Sequence, residues 1–102
     1  MKYQLVLQWP ASSISDYNSM VEVEDILIKT LTADSDVDGH DAGAGEMNIF
    51  IRTNDPNQTF NEIKTILGTR DFWVEARVAY REVTGNEYTI LWPKSLTRFR
   101  VV

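Results

Sequence analysis

The chain has 102 residues, with 15 acidic and 10 basic side chains, one His and no Cys, for a net charge of −5. That length suits a single domain spanning residues 1–102, and 43% apolar content is enough to drive a packed core, so a disordered chain is excluded. The missing Cys rules out disulfides, thiol catalysis and thiolate metal sites, while the acidity argues against a nucleic-acid partner. No stretch approaches the ~20 apolar residues of a membrane-spanning helix. The opening Met1-Lys2-Tyr3-Gln4 runs straight into a strand pattern rather than a signal peptide, so a cytoplasmic protein with no membrane partner is expected.

In chain order, Tyr3, Leu5, Leu7 and Trp9 alternate with polar positions and Val6, which predicts a strand stopped by Pro10. Ser13 and Asp16 have capping-box spacing. A helix is predicted over 14–32, with Ile14, Tyr17, Met20, Val21, Leu27, Ile28 and Leu31 in one apolar arc. Glu24 falls inside that arc. A carboxylate there must pair or neutralise, so it is a candidate buried carboxylate, either paired with an Arg of the sheet or raised in pKa within a cleft.

Residues 33–45 are rich in Asp and Gly and read as an edge strand near 37–41 or as a loop. The strand is favoured, because a long structureless connection is unusual in so small a domain. Gly43-Ala44-Gly45 then turns the chain into a strand over 46–53, with Met47, Ile49 and Ile51 on its apolar face. Asp55-Pro56 starts a second helix with Phe60, Ile63, Ile66 and Leu67 as its stripe and Gly68 as its stop. Alternation from Phe72 to Val83 predicts a strand, Gly85-Asn86 a hairpin turn, and Tyr88 to Trp92 a last strand. Residues 94–102 read as a tail or a fragment of a further strand.

This order predicts an α+β, ferredoxin-like two-layer sandwich: βαββαβ plus a C-terminal strand, with two helices on one face of a mainly antiparallel sheet. The opposite sheet face should carry Gln4, Val6, Gln8, Asn48, Phe50, Arg52, Trp73, Glu75, Arg77, Arg81 and Leu91. Aromatic side chains mixed with Arg suit a protein interface.

Asp34, Asp36 and Asp38 followed by Gly39 begin like a calcium loop, but Gly45 stands where the closing Glu is needed. They are weak metal candidates, and no cofactor is expected. His40 sits near Asp38 and Asp41, and as a strand residue it would share a face with Asp38. One His cannot build a multi-His metal site. No phosphate loop or nucleophile elbow is present, so no catalytic residue is assigned and the reading leans away from an enzyme.

The stretch from Val37 to Ile51, together with the opening Tyr3 to Pro10, resembles a group of small bacterial proteins of unassigned function. In size and acidity the chain is similar to toxin-immunity proteins, which block a toxin by docking on it. The resemblance implies a bacterial binding protein with a basic protein partner. Candidate docking residues are Asp34, Asp36, Asp38, His40, Asp41, Glu46, Phe50, Arg52, Trp73, Arg77 and Arg81. The alternative is a dimeric ferredoxin-like domain that binds a small molecule or acts as a monooxygenase-like protein, with Trp73, Arg77, Phe50 and His40 around a pocket.

The charge is uneven. Residues 1–50 hold 9 acids and 2 bases, whereas residues 51–102 hold 6 acids and 8 bases. A basic partner is therefore expected at the 34–46 edge.

Overall fold

The computed structural model describes residues 1–11, 13–32 and 34–101. Its elements run β1 (Tyr3–Pro10), α1 (Ile14–Thr30), β2 (Ser35–Gly43), β3 (Glu46–Thr53), α2 (Pro56–Leu67), a 3-10 helix (Asp71–Glu75), β4 (Arg77–Glu82) and β5 (Thr89–Trp92). The five strands form one antiparallel sheet in the order β2-β3-β1-β4-β5. With the two helices this makes an α+β two-layer sandwich. Among the described residues no helix is long and apolar enough to cross a membrane.

β1 lies at the centre of the sheet. Leu5 pairs with Ile51 and Tyr80, and Leu7 with Ile49 and Val78. These side chains meet Met20, Val23 and Leu27 of α1 and Ile63 and Leu67 of α2 in one core. Hydrophobic burial of this cluster is the main stabilising term. Central placement also explains why Val6 and Gln8, on the other face of β1, are buried.

Local signals set the helix starts. The Ser13 hydroxyl accepts from the Asp16 amide at 3.0 Å, and the Asp16 carboxylate accepts from the Ser13 amide at 3.2 Å. The Asp55 carboxylate caps α2 through the Gln58 amide at 3.1 Å. A buried Thr53–Thr59 hydroxyl pair at 2.7 Å fastens this start to the end of β3.

The segment after α1 is a strand rather than a loop. Ala44 and Gly45 both have positive φ, 53° and 76°, the conformation of a type I′ hairpin turn. Gly39, at φ 148°, sits in a β-bulge: Val37 faces Ile51 and Gly39 faces Phe50, so Asp38 is the extra residue.

Two expectations are corrected. The predicted 72–83 strand is shorter, because Asp71–Glu75 winds into a 3-10 helix. Trp73 and Ala76, three apart, are buried, while Val74 between them is 89% exposed. The run Phe72-Trp73-Val74 is too short and too uniformly apolar to separate a period of three from a period of two. The apolar arc of α1 is also narrower than expected. Met20, Val23 and Leu27 are buried, but Ile14, Val21 and Ile28 are exposed, because the sheet covers only the side of the helix directly above it. Of the two readings of residues 94–102, a tail or a fragment of a further strand, the described residues 94–101 form a tail. They pass across the open sheet face, where the Gln8 side-chain amide donates to the Arg100 carbonyl at 3.0 Å and Phe99 packs on Tyr88.

Candidate functional site

Two surfaces concentrate the predicted residues. The first is the flank formed by α1 and the edge strand β2. The bulge at Asp38 shifts the alternation of β2, so Val37 and His40 both pair with helix-side residues of β3, Ile51 and Ile49. His40 therefore does not share a face with Asp38. Asp38 meets Arg52 at 3.5 Å, whereas His40 turns under α1. Its Nδ1 is 3.0 Å from each carboxylate oxygen of Glu24, and its Nε2 is 3.0 Å from the Tyr17 hydroxyl. With Glu24 ionised and the imidazole neutral, Nδ1 donates to the carboxylate and Nε2 accepts from the Tyr17 hydroxyl.

Glu24 is thus half-buried as expected, its side chain 14% exposed, but its partner is His40 rather than an Arg of the sheet. Carboxylate, imidazole and hydroxyl in series have the geometry of a proton relay. However, none of the three lines the cleft on the open face or the groove between the end of α1 and α2. What the chain does is tie α1 to the outermost strand.

Beside this tie runs an apolar stripe. Ile14, Val21 and Ile28, seven residues apart, are 84%, 38% and 58% exposed. At about 100° per residue from Met20, Tyr17 and Glu24 lie roughly 40–60° round towards β2, and these three lie about 80–120° round in the same sense. The stripe is therefore on the β2 side of the helix. On the same edge strand, but projecting from its open face, Asp36 and Asp41 are exposed, as is Asp34 at the turn before it, and their carboxylates make no hydrogen bond or ion pair among the described residues.

The second surface is the open sheet face. Strand register sets three rows across it: Asp36–Arg52–Gln4–Arg81, Gly39–Phe50–Val6–Ala79–Ile90, and Asp41–Asn48–Gln8–Arg77. Trp73, Glu75 and Leu91 are not on it. Trp73 is in the core, stacked on Trp92 at 6.1 Å, Glu75 ends the 3-10 helix, and Leu91 packs against the core from a β5 irregularity. Arg81 is occupied: it donates to the Glu82, Val83 and Gly85 carbonyls and to the Gln4 side chain, bracing the turn after β4.

Arg77 pairs with Glu46, and its Nε is buried without an acceptor. Gln8 donates to Asn48 at 2.9 Å below. Together with the crossing tail, Gln8, Glu46 and Arg77 bound a cleft of about 1000 Å³, whose other side includes Tyr88, Arg98, Phe99 and Arg100. Of the four residues expected around a pocket, only Arg77 lines it; Trp73, Phe50 and His40 lie elsewhere. The tail residues went unassigned at the sequence level. The Arg98-Phe99-Arg100 alternation was their one available signal.

Asp34, Asp36 and Asp38 lie along a turn and strand, with Asp38 engaged by Arg52. Among the described residues no three His, Cys, Asp or Glu side chains cluster to hold a metal ion. Comparison with family models, curated proteins and solved structures finds no match, so these surfaces are read from their own geometry.

Proposed function

We propose that this is a non-enzymatic binding protein that docks a basic protein partner on the α1–β2 flank, as an immunity-type inhibitor docks on its toxin. The carrying observation is the exposed stripe of Ile14, Val21 and Ile28 on α1, next to an edge strand whose Asp36 and Asp41 project from its other face and, with Asp34 at the turn before it, make no hydrogen bond or ion pair among the described residues. An apolar centre with a polar rim is how protein interfaces are built. Acidic side chains on the rim steer a basic partner and hold its register. The bulge and charges of β2 disfavour indiscriminate strand addition, which leaves recognition to side chains. We read the fold as ferredoxin-like. Setting β5 aside, β2-β3-β1-β4 with both helices above is the split β-α-β order, and β5 lengthens it by one strand.

The test is co-purification and calorimetry with basic products of neighbouring genes. Wild type should bind one of them with salt-sensitive affinity. Val21→Ser with Ile28→Ser, and separately Asp36→Asn with Asp41→Asn, should each weaken it by about tenfold or more, whereas Phe50→Ser should not. Equal loss from Phe50→Ser, or binding indifferent to both flank pairs, would overturn the assignment.

A further inference from the structure

The cleft under the C-terminal tail is a different kind of surface from the docking flank. Its floor is polar and already half organised. Gln8 spends its amide on Asn48 and on the Arg100 carbonyl, fixing the tail across the sheet. Arg77 spends one amino group on Glu46, which leaves its buried Nε with a proton and no acceptor. A buried donor without a partner is costly and uncommon, and it marks a place where an acceptor is missing.

The walls add charge and a flat apolar surface. Tyr88 and Phe99 pack at 4.9 Å between ring centroids, and both line the cleft. Arg98 and Arg100 line it too, and their side chains make no hydrogen bond or ion pair among the described residues. The carboxylates present are Glu46, which Arg77 neutralises, and Glu87. Two free guanidiniums thus face one free carboxylate, in a chain whose overall charge is −5. A volume of about 1000 Å³ admits an organic molecule rather than a bare ion.

We propose that this cleft binds a small aromatic carboxylate. Its ring lies against Tyr88 and Phe99, and its carboxylate is held by Arg98 and Arg100. Guanidinium forks bind carboxylates through charge-assisted hydrogen bonds, and aromatic walls orient a planar ring. The site does not depend on the docking flank, and either can fail without the other.

The experiment is an NMR titration of the full chain with three probes: 1-naphthoate, the neutral 1-naphthalenemethanol, and inorganic phosphate. Naphthoate should saturate, with shifts centred on the Gln8 side-chain amide and the Tyr88, Phe99 and Arg100 amides. Naphthalenemethanol should bind about tenfold more weakly, because it lacks the charge. Phosphate should produce no saturable shift at the same concentrations. Arg98→Gln removes an exposed side chain without touching the core, and should also weaken naphthoate about tenfold. Arg52→Gln, elsewhere on the open face, should leave it unchanged. The proposal is overturned if naphthoate gives no saturable shift at millimolar concentration. It is also overturned if the neutral alcohol binds as tightly, if phosphate saturates the same resonances, if the shifts centre outside the cleft, or if Arg98→Gln and Arg52→Gln behave alike.

Discussion

The two sides of this small domain differ in almost every respect that governs recognition. The helix side of the α1–β2 flank presents exposed aliphatic side chains. The open sheet face mixes guanidiniums with carboxylates, and under the tail it holds an aromatic cleft whose polar groups bond across long stretches of chain. We propose a macromolecular partner for the first and a small-molecule ligand for the second. The uneven charge of the sequence shows in the cleft, whose guanidiniums and rings all come from the second half of the chain, while the first half's acids gather along the β2 edge. Net charge alone describes neither surface.

The sharpest way to break this division is Trp73→Ala. If Trp73 belongs to the core and not to the open face, the variant should lose about 3–5 kcal/mol of stability, as buried Trp truncations do. Urea unfolding checks it, and a near-neutral result would return Trp73 to the surface. Next is Gln8→Leu, which strands the Asn48 carbonyl and the Arg100 carbonyl beneath the tail. A cost of about 2–3 kcal/mol is expected, with faster amide exchange confined to residues 97–101. Uniform exchange over the whole chain would show that the tail is not held at this point.

Glu24→Ala should cost about 1–2 kcal/mol, because it leaves His40 Nδ1 half-buried without its acceptor. His40→Ala in the same background should then add little, since the pair acts as a unit. Fully additive losses would mean that the tie between α1 and β2 lies elsewhere.

The smallest effect concerns Glu62, on the side of α2 facing the end of α1. The Thr32 amide at 3.0 Å and the Thr32 hydroxyl at 2.8 Å, with Gln58 adding a third donor, hold its carboxyl below the ordinary value despite partial burial. A depressed folded pKa contributes stability above the unfolded value of 4.5 and loses it as the pH falls through the folded one. The stability gap between wild type and Glu62→Gln should therefore be widest at neutral pH and close as the pH falls from 4.5 through the lower folded pKa. Thermal unfolding at both ends measures it, and a gap that widens in acid would contradict the assigned sign.

Much of the scaffold was legible from local residues. Ser13 with Asp16, and Asp55 with Pro56, marked both helix starts, and Gly43-Ala44-Gly45 marked the hairpin that makes residues 35–43 an edge strand. The partial burial of Glu24 followed from its place on the helical wheel, while the identity of its partner did not. His40 is 16 residues away, and a single bulge decided which way it points. The cleft was not legible at all. It needs residues 97–100 to lie over Gln8, a contact spanning 92 positions, and nothing in the tail's own pattern specifies that crossing.

What the amino-acid sequence determined by itself is therefore what depends on neighbours along the chain: caps, turns, the order of elements, and the separation of acidic from basic halves. Tertiary structure decided what depends on neighbours in space. It chose which side of α1 is covered, wound Trp73 into the core, rotated His40 beneath the helix, and closed the tail over the sheet. Each of those outcomes is set by burial and by polar groups that must find distant partners, and such pairings leave no periodic trace in the sequence.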